Sequence, residues 1–185
     1  KFEIYGFYFG PKIKKEDLIS KRIVNCFDRF EDVSSKNDQE VANLSKDLEI
    51  DIAVDLMCFT GNSNRFGIFS KKCAPLQINF LGYPGTSGSN CIDYIIADKK
   101  LITPENEKFF SEKIIFLPDI YQPNEKNKKV SQKALSRYQQ NLPNNYFIFA
   151  SFNSHQKISP EIFGVWMNIL NKKKDSIIWL LKDNN

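Results

Sequence analysis

The sequence is poor in the residues on which much site chemistry depends. It holds one histidine and four cysteines, Cys26, Cys58, Cys73 and Cys91, with no CxxC pair among them. Structural zinc sites use about four such ligands at close spacing, so no metal is expected. The cysteines read as reduced core thiols. Asp-x-Asp is absent, which removes the usual sequence sign of a divalent cation holding a nucleotide diphosphate. Only four of the 26 basic residues are arginine, whereas nucleic-acid readers lean on arginine forks as well as lysine. No apolar run approaches the roughly 20 residues that cross a bilayer, and the opening KFEIYGFYFG lacks the basic-then-apolar order of a signal peptide. The expectation is a cytoplasmic protein with neither membrane nor nucleic-acid partner.

What is present suits a packed core: 185 residues, 42% hydrophobic and 14% aromatic, with a mean hydropathy of -0.40. Against roughly 150 residues per domain, this length predicts one domain and part of another. The net charge of +4 is concentrated. Lys126, Lys128, Lys129 and Lys133 against Glu125 put +3 between residues 122 and 133 and leave +1 elsewhere. That run reads as a solvated linker. Abundant Lys and Asn with little Arg fits an AT-rich bacterial genome, and no internal repeat is visible.

Phe2 to Phe9 is aromatic and β-branched and stops at Gly10-Pro11, as a buried strand ending in a turn would. A chain that opens on a strand, without an initiator methionine, reads as cut from a longer protein. Asn37 and Glu40 form a capping-box pattern with Val41, Leu44 and Leu48 following at helical spacing, which predicts a helix over 38–48. Ile50 to Leu56 and Leu76 to Leu81 are apolar runs of the kind covered on both faces, and Asp93 to Ala97 and Lys113 to Leu117 are two more strands. The fold class is α/β: a Rossmann-like parallel sheet over 1–118 with crossover connections, a linker over 119–145, and over 146–185 the truncated start of a second Rossmann-like domain. In that second part Phe147 to Phe152 is a strand and Ser159-Pro160-Glu161 a helix start. Ile162, Phe163, Trp166, Ile169 and Leu170 form one helix face, and Ile177 to Leu181 is a closing strand. Trp166 and Trp179 are core by their pattern.

Three loops at carboxyl ends of strands are candidates for chemistry. Leu81-Gly82-Tyr83-Pro84-Gly85-Thr86-Ser87-Gly88 could bring backbone close to a ligand, or be a plain turn. It matches neither GxGxxG nor a Walker A loop. Asn153-Ser154-His155-Gln156-Lys157 leads into the Ser159 helix start, where free N–H groups, the helix dipole and one ammonium suit a diphosphate. A solvated loop lysine is the competing reading of Lys157, and His155 reads as a surface imidazole because no orienting partner is identifiable. Thr60-Gly61-Asn62-Ser63-Asn64-Arg65 is a third polar loop. Asp51 and Asp55, four apart, share a face and bracket a strand.

These segments resemble a known family. Cys73-Ala74-Pro75-Leu76-Gln77, then LGYPGTSG at 81–88, Asp93-Tyr94-Ile95-Ile96-Ala97-Asp98, Ser111-Glu112-Lys113 before Leu117-Pro118, and FNSHQKISPEIFGVWMNIL followed by SIIWLL look like the catalytic region of the O-linked N-acetylglucosamine transferase/SPINDLY family, glycosyltransferase family 41. The resemblance implies a GT-B fold, with a nucleotide sugar between two Rossmann-like lobes and tetratricopeptide repeats often preceding them. It implies inverting, metal-independent transfer of a sugar, GlcNAc from UDP-GlcNAc in the leading reading, to protein Ser or Thr hydroxyls. It assigns Lys157 to the departing diphosphate as the catalytic residue. Gly82, Tyr83, Pro84, Gly85, Asn153 and Ser154 become donor-binding residues, with Thr60 and Arg65 as further candidates. Ser154 stands where animal enzymes carry a glutamine, Cys58 where a glycine is common, and Phe59 where Tyr or His is. The alternatives are another donor, such as GDP-fucose, and a non-catalytic binding module whose linker docks an acidic partner or nucleic acid. With family segments expected on both sides of it, the 185-residue piece alone should be inactive.

Overall fold

The protein is described here by a computed structural model covering residues 2–13, 17–61, 64–127, 129 and 131–182. Asn62, Ser63 and Lys128, singled out above, lie outside the described residues, as does Lys1. The chain divides into two compact units, Lys1–Glu125 and Lys126–Asn185.

The first unit runs β1 (Tyr5–Tyr8), α1 (Leu18–Val24), β2 (Arg29–Asp32), α2 (Asp38–Asp47), β3 (Ile52–Asp55), α3 (Gly67–Ser70), β4 (Leu76–Phe80), β5 (Tyr94–Ala97) and β6 (Lys113–Phe116). All its strand pairs are parallel: β1 with β2 in one sheet, and β3-β4-β5-β6 in that order in another. Helix α2 starts as its sequence dictates. The Asn37 side chain accepts from the Glu40 N–H at 3.0 Å while Glu40 accepts from the Asn37 N–H at 2.7 Å, pairing two donors the helix cannot use. Val41 and Ala42 on its inner face pack with Val33, Ile68 and Cys73, against Phe7, Phe9 and Ala53. A second cluster, Ile95, Ala97 and Ile102, lies on the β5–β6 side.

Several expectations are corrected. Strand β1 is shorter than Phe2 to Phe9, and Phe2 and Ile4 are exposed. β3 is not covered on both faces: Ile52, Val54 and Leu56 are 45%, 44% and 54% exposed, because β3 is an edge of its sheet. The connections β4 to β5 and β5 to β6 contain no α-helix, only a 3-10 turn at Glu107–Phe109. Helices α1 and α3 and strand β2 have no counterpart in the sequence reading. The β2 sequence RFED carries one apolar residue in four, and α3 is a single turn. Cys26 is exposed rather than in the core, while Cys58 and Cys73 are buried, and burial pushes both of their thiols up to about 11.

The second unit holds a 3-10 turn at Tyr138–Gln140, β7 (Phe147–Ser151), a 3-10 turn at His155–Lys157, α4 (Pro160–Lys172) and β8 (Ser176–Leu180), with β7 and β8 parallel. α4 begins where the sequence places it. Ser159 Oγ accepts from the Ile162 N–H at 3.3 Å, and Pro160, lacking an N–H, sits at the first helical position. Arg137 fastens the approach to β7 by donating to the carbonyls of Pro143, Asn144 and Tyr146 at 3.0, 3.2 and 2.7 Å. Trp166 and Trp179 are half-buried rather than core, with Trp179 edge-on to Phe152 at 5.0 Å. No described residue of this unit is fully buried. A β-α-β element has too little surface opposite its sheet to bury one.

Candidate functional site

In the first unit the candidate site is built on the carboxyl ends of β3 and β4, which pair with Asp55 opposite Asn79. Both side chains are buried, and both hold loops. Asp55 Oδ1 accepts the N–H groups of Met57 and Cys58, each at 2.9 Å, and so folds the loop after β3 back on itself. Cys58 adopts φ 48, the left-handed region that glycine enters freely. Thr60 closes the same loop by donating its hydroxyl to the Met57 carbonyl at 2.6 Å. Asn79 Nδ2 donates to the carbonyls of Tyr83 at 3.1 Å and Gly85 at 3.4 Å, bracing the glycine turn from beneath. Asp55 Oδ2 and Asn79 Oδ1 have no partner among the described residues.

Gly82 is required by close approach. A Cβ on it would overlap the carbonyl oxygen of Leu56, so the turn after β4 lies directly on the loop after β3. Leu81, just before, carries φ 76, an uncommon conformation for a branched side chain and a local store of strain. The two loops also meet through Phe59, edge-on to Tyr83 at 5.5 Å and stacked at a tilt with Phe66 at 5.0 Å. Gly82, Tyr83, Gly85 and Thr60 are thus brought together. Arg65 turns elsewhere: its Nε meets Asp38 Oδ1 at 2.6 Å and its guanidinium donates to the Lys36 carbonyl at 2.8 Å, tying this loop to the start of α2.

The far end of the turn is held by Glu112, which is 5% exposed. Its carboxylate accepts from the Thr86 hydroxyl at 2.7 Å, the Ser87 N–H at 2.7 Å and the Ser87 hydroxyl. Burial pushes its pKa up, but these donors outweigh it and leave Glu112 below the ordinary glutamate value. Asp98 does similar work beyond β5, accepting from the N–H groups of Tyr121, Lys100 and Leu101 at 2.8 Å each; the Tyr121 bond is foremost in holding its pKa down. Glu112 and Asp98 stand within the motifs quoted above, but their sequence surroundings assign them no role, nor one to Asn79. Their partners lie up to 26 residues away, and no local pattern announces them.

In the second unit Asn153, Ser154 and Lys157 are exposed on the loop between β7 and α4. The loop is a 3-10 turn in which the Lys157 N–H donates to the Ser154 carbonyl and that of Ile158 to the His155 carbonyl, each at 3.0 Å. Lys157 has no ion-pair partner among the described residues, so its charge is available to a ligand. Glu161 occupies the first turn of α4 and accepts from Ser159, which lowers its pKa; its negative charge offsets part of the helix dipole there. An anion at this loop therefore depends on Lys157 more than on the helix end.

The family profile described as glycosyl transferase family 41 matches residues 1–131 and 124–184. The chain is 34% identical over 168 residues to an Arabidopsis thaliana protein named "Probable UDP-N-acetylglucosamine--peptide N-acetylglucosaminyltransferase SEC", covering 88% of this chain and 17% of that protein. It is 31% identical over 144 residues to a Petunia hybrida protein of the same printed activity named SPINDLY, covering 76% and 15%. The chain thus spans 15% to 17% of the length of these curated relatives. A solved mutant O-GlcNAc transferase of Thermobaculum terrenum superposes with a TM-score of 0.78 at 24% identity, over 96% of this chain and 32% of that one, and shows the same fold.

Proposed function

Because the chain belongs to glycosyl transferase family 41, we propose that it is part of the catalytic region of an enzyme that transfers GlcNAc from UDP-GlcNAc to Ser or Thr hydroxyls of proteins. The printed activity of the curated relatives supports the donor and the peptide acceptor. The observation that carries the reading is the β7–α4 loop, where exposed Lys157, Ser154 and Asn153 precede a capped helix start.

In the reaction, an acceptor hydroxyl oxygen forms a bond to the anomeric carbon from the face opposite the diphosphate, and the bond from that carbon to the diphosphate oxygen breaks. Configuration inverts. The electron pair leaves with the diphosphate, and the hydroxyl proton goes to a general base. Lys157 meets the charge as it develops on the leaving oxygen, which is where electrostatic stabilisation lowers a barrier most. No divalent cation is needed in this scheme, because ammonium and backbone N–H groups take its place. In the first unit the glycine turn after β4 is fixed from below by Asn79 and from the side by Glu112, and Gly82, Tyr83, Pro84 and Gly85 are its proposed ligand contacts.

The test is Lys157→Ala in the complete enzyme, assayed for sugar transfer to protein with product mass determined. Turnover should fall about a hundredfold or more with the circular dichroism spectrum unchanged. Near-normal turnover would refute the role of Lys157. A product carrying another sugar would keep the reaction and replace the donor.

A further inference from the structure

Charge divides the chain unevenly. The first unit holds 16 basic residues against 19 acidic ones, a formal -3, and the second holds ten against three, +7 in 60 residues. The candidate loop after β7 uses one of those ten, Lys157, with Glu161 close by in the first turn of α4. Lys172, Lys173 and Lys174 lie at the other end of the sheet, where α4 gives way to β8. All three are exposed, and none forms an ion pair with a described residue. Their loop is joined to the approach to β7, because the Phe147 N–H donates to the Asp175 carbonyl at 2.8 Å. Arg137 is bound to the same approach by its three carbonyl contacts, and exposed Lys133 precedes it by four residues. Across 131–147 and 172–176 these five basic residues face one acidic residue, Asp175. A helix end accounts for Lys172, which stands in the last turn of α4 against the negative end of the dipole. Lys173 and Lys174 lie beyond that turn, with no described carboxylate to answer.

The chemistry of this surface selects its ligand. Cations gathered on two neighbouring turns attract a chain of negative charge and speed its encounter. A phosphate backbone is read best by arginine forks. The one arginine here has Nη1 committed to the carbonyls of Pro143, Asn144 and Tyr146, so it cannot present Nη1 and Nη2 together. What remains is lysine, a point charge on a flexible stem, which suits the dispersed carboxylates of an acidic polypeptide. β7 is five residues long, about 16 Å, and it separates this surface from the Lys157 loop at its carboxyl end. One extended polypeptide spans that length with at least about five residues. We propose that Lys133, Lys172, Lys173 and Lys174 form a docking surface for an acidic segment of the protein that receives the sugar. The proposal rests on the transfer to proteins argued above, and it names the acceptor class: a Ser or Thr separated by at least about five residues from a run of Asp or Glu.

Two measurements on the complete enzyme separate the surface from the reaction. The first is binding of a fluorescent peptide of alternating Glu and Gly, which carries no acceptor hydroxyl, with alternating Gln and Gly as control. The acidic peptide should bind and the control should not. Replacing Lys172, Lys173 and Lys174 together by Gln should weaken binding about tenfold, the combined effect of three exposed charge contacts. Replacing them by Arg keeps the charge and should preserve binding. Added salt should weaken the parent more than the Gln variant. The second measurement is sugar transfer to an acceptor peptide with and without a Glu run beyond such a spacer. The run should lower acceptor KM about tenfold in the parent and the Arg variant but not in the Gln variant, with kcat and donor KM unchanged in all three. The proposal is overturned if the acidic peptide does not bind, if the Gln variant binds it as the parent does, or if the Glu run leaves acceptor KM unmoved. It is also overturned if single-stranded DNA or vesicles of anionic lipid bind through these lysines and the peptide does not, which assigns the surface to another class of partner. An enzyme that binds the peptide as described but transfers no sugar supports the docking surface and overturns the transferase reading.

Discussion

The turn after β4 and the loop after β7 both leave the carboxyl end of a parallel strand, and they are held in opposite ways. The first rests on buried polar side chains: Asn79 beneath Tyr83 and Gly85, and Glu112 under Thr86 and Ser87, with Gly82 in backbone contact with Leu56. The second has no buried support. It is kept by its own 3-10 turn, by the Ser159 cap and by proline at the start of α4. Rigid placement of backbone requires a core to anchor side chains from below, which only the first unit has. Placing one cation at the start of a helix requires only local sequence. The turn after β4 suits recognition of a fixed shape, and the loop after β7 suits electrostatic contact with a group whose charge changes.

Four substitutions or conditions put pressure on that contrast. The largest effect should come from Gly82→Ala, whose added methyl meets the Leu56 backbone: we expect about 3 kcal/mol lost from the first unit, as for overpacked cores, seen as a lower midpoint in thermal unfolding. A midpoint at the parent value would mean the two loops are not in contact. Glu112→Gln should cost about 2 kcal/mol, because the amide cannot accept from all three donors and leaves one buried group unsatisfied. The same residue sets a pH dependence. Since its folded pKa lies below the ordinary glutamate value of 4.5, its contribution is complete above 4.5 and is lost as the pH falls through the lower folded value. Unfolding followed between pH 7 and 3 should steepen in the parent below 4.5 and flatten in Glu112→Gln; parallel curves would show that Glu112 is not ionised in the fold. The smallest effect should be in the second unit. Gly164 lies inside α4 with open space where a Cβ would stand, so Gly164→Ala should stabilise by about 0.5 to 1 kcal/mol. A loss there would mean that α4 is tightly packed at that position.

The contrast also explains what could be read from the sequence. Local devices were legible: the Asn37–Glu40 capping box, the Ser159-Pro160 start of α4, and the strands at β4, β5, β6, β7 and β8, whose apolar runs end at Gly, Pro or polar clusters. The loop positions that bring Gly82, Tyr83, Gly85 and Thr60 together followed from their places after strands. Distant pairings were not legible. Arg65 could not be told from a ligand-binding arginine, because its partners Asp38 and Lys36 are chosen by how α2 packs. Asn79 and Asp55 look like strand residues, and their work is visible only once the strands pair. β3 read as covered on both faces because its apolar content is that of a central strand. In this structure it is an edge, and its composition does not match its place.

The central claim is that the Lys157 loop meets the diphosphate of a nucleotide sugar. The direct measurement is amide chemical shift in the complete enzyme, labelled with nitrogen-15 and titrated with UDP-GlcNAc. The account predicts that Ser154 and Lys157 shift together along one saturation curve, and that Lys157→Ala weakens the binding that the Ser154 curve reports. Ser154 and Lys157 amides that stay in place while the donor binds would contradict it.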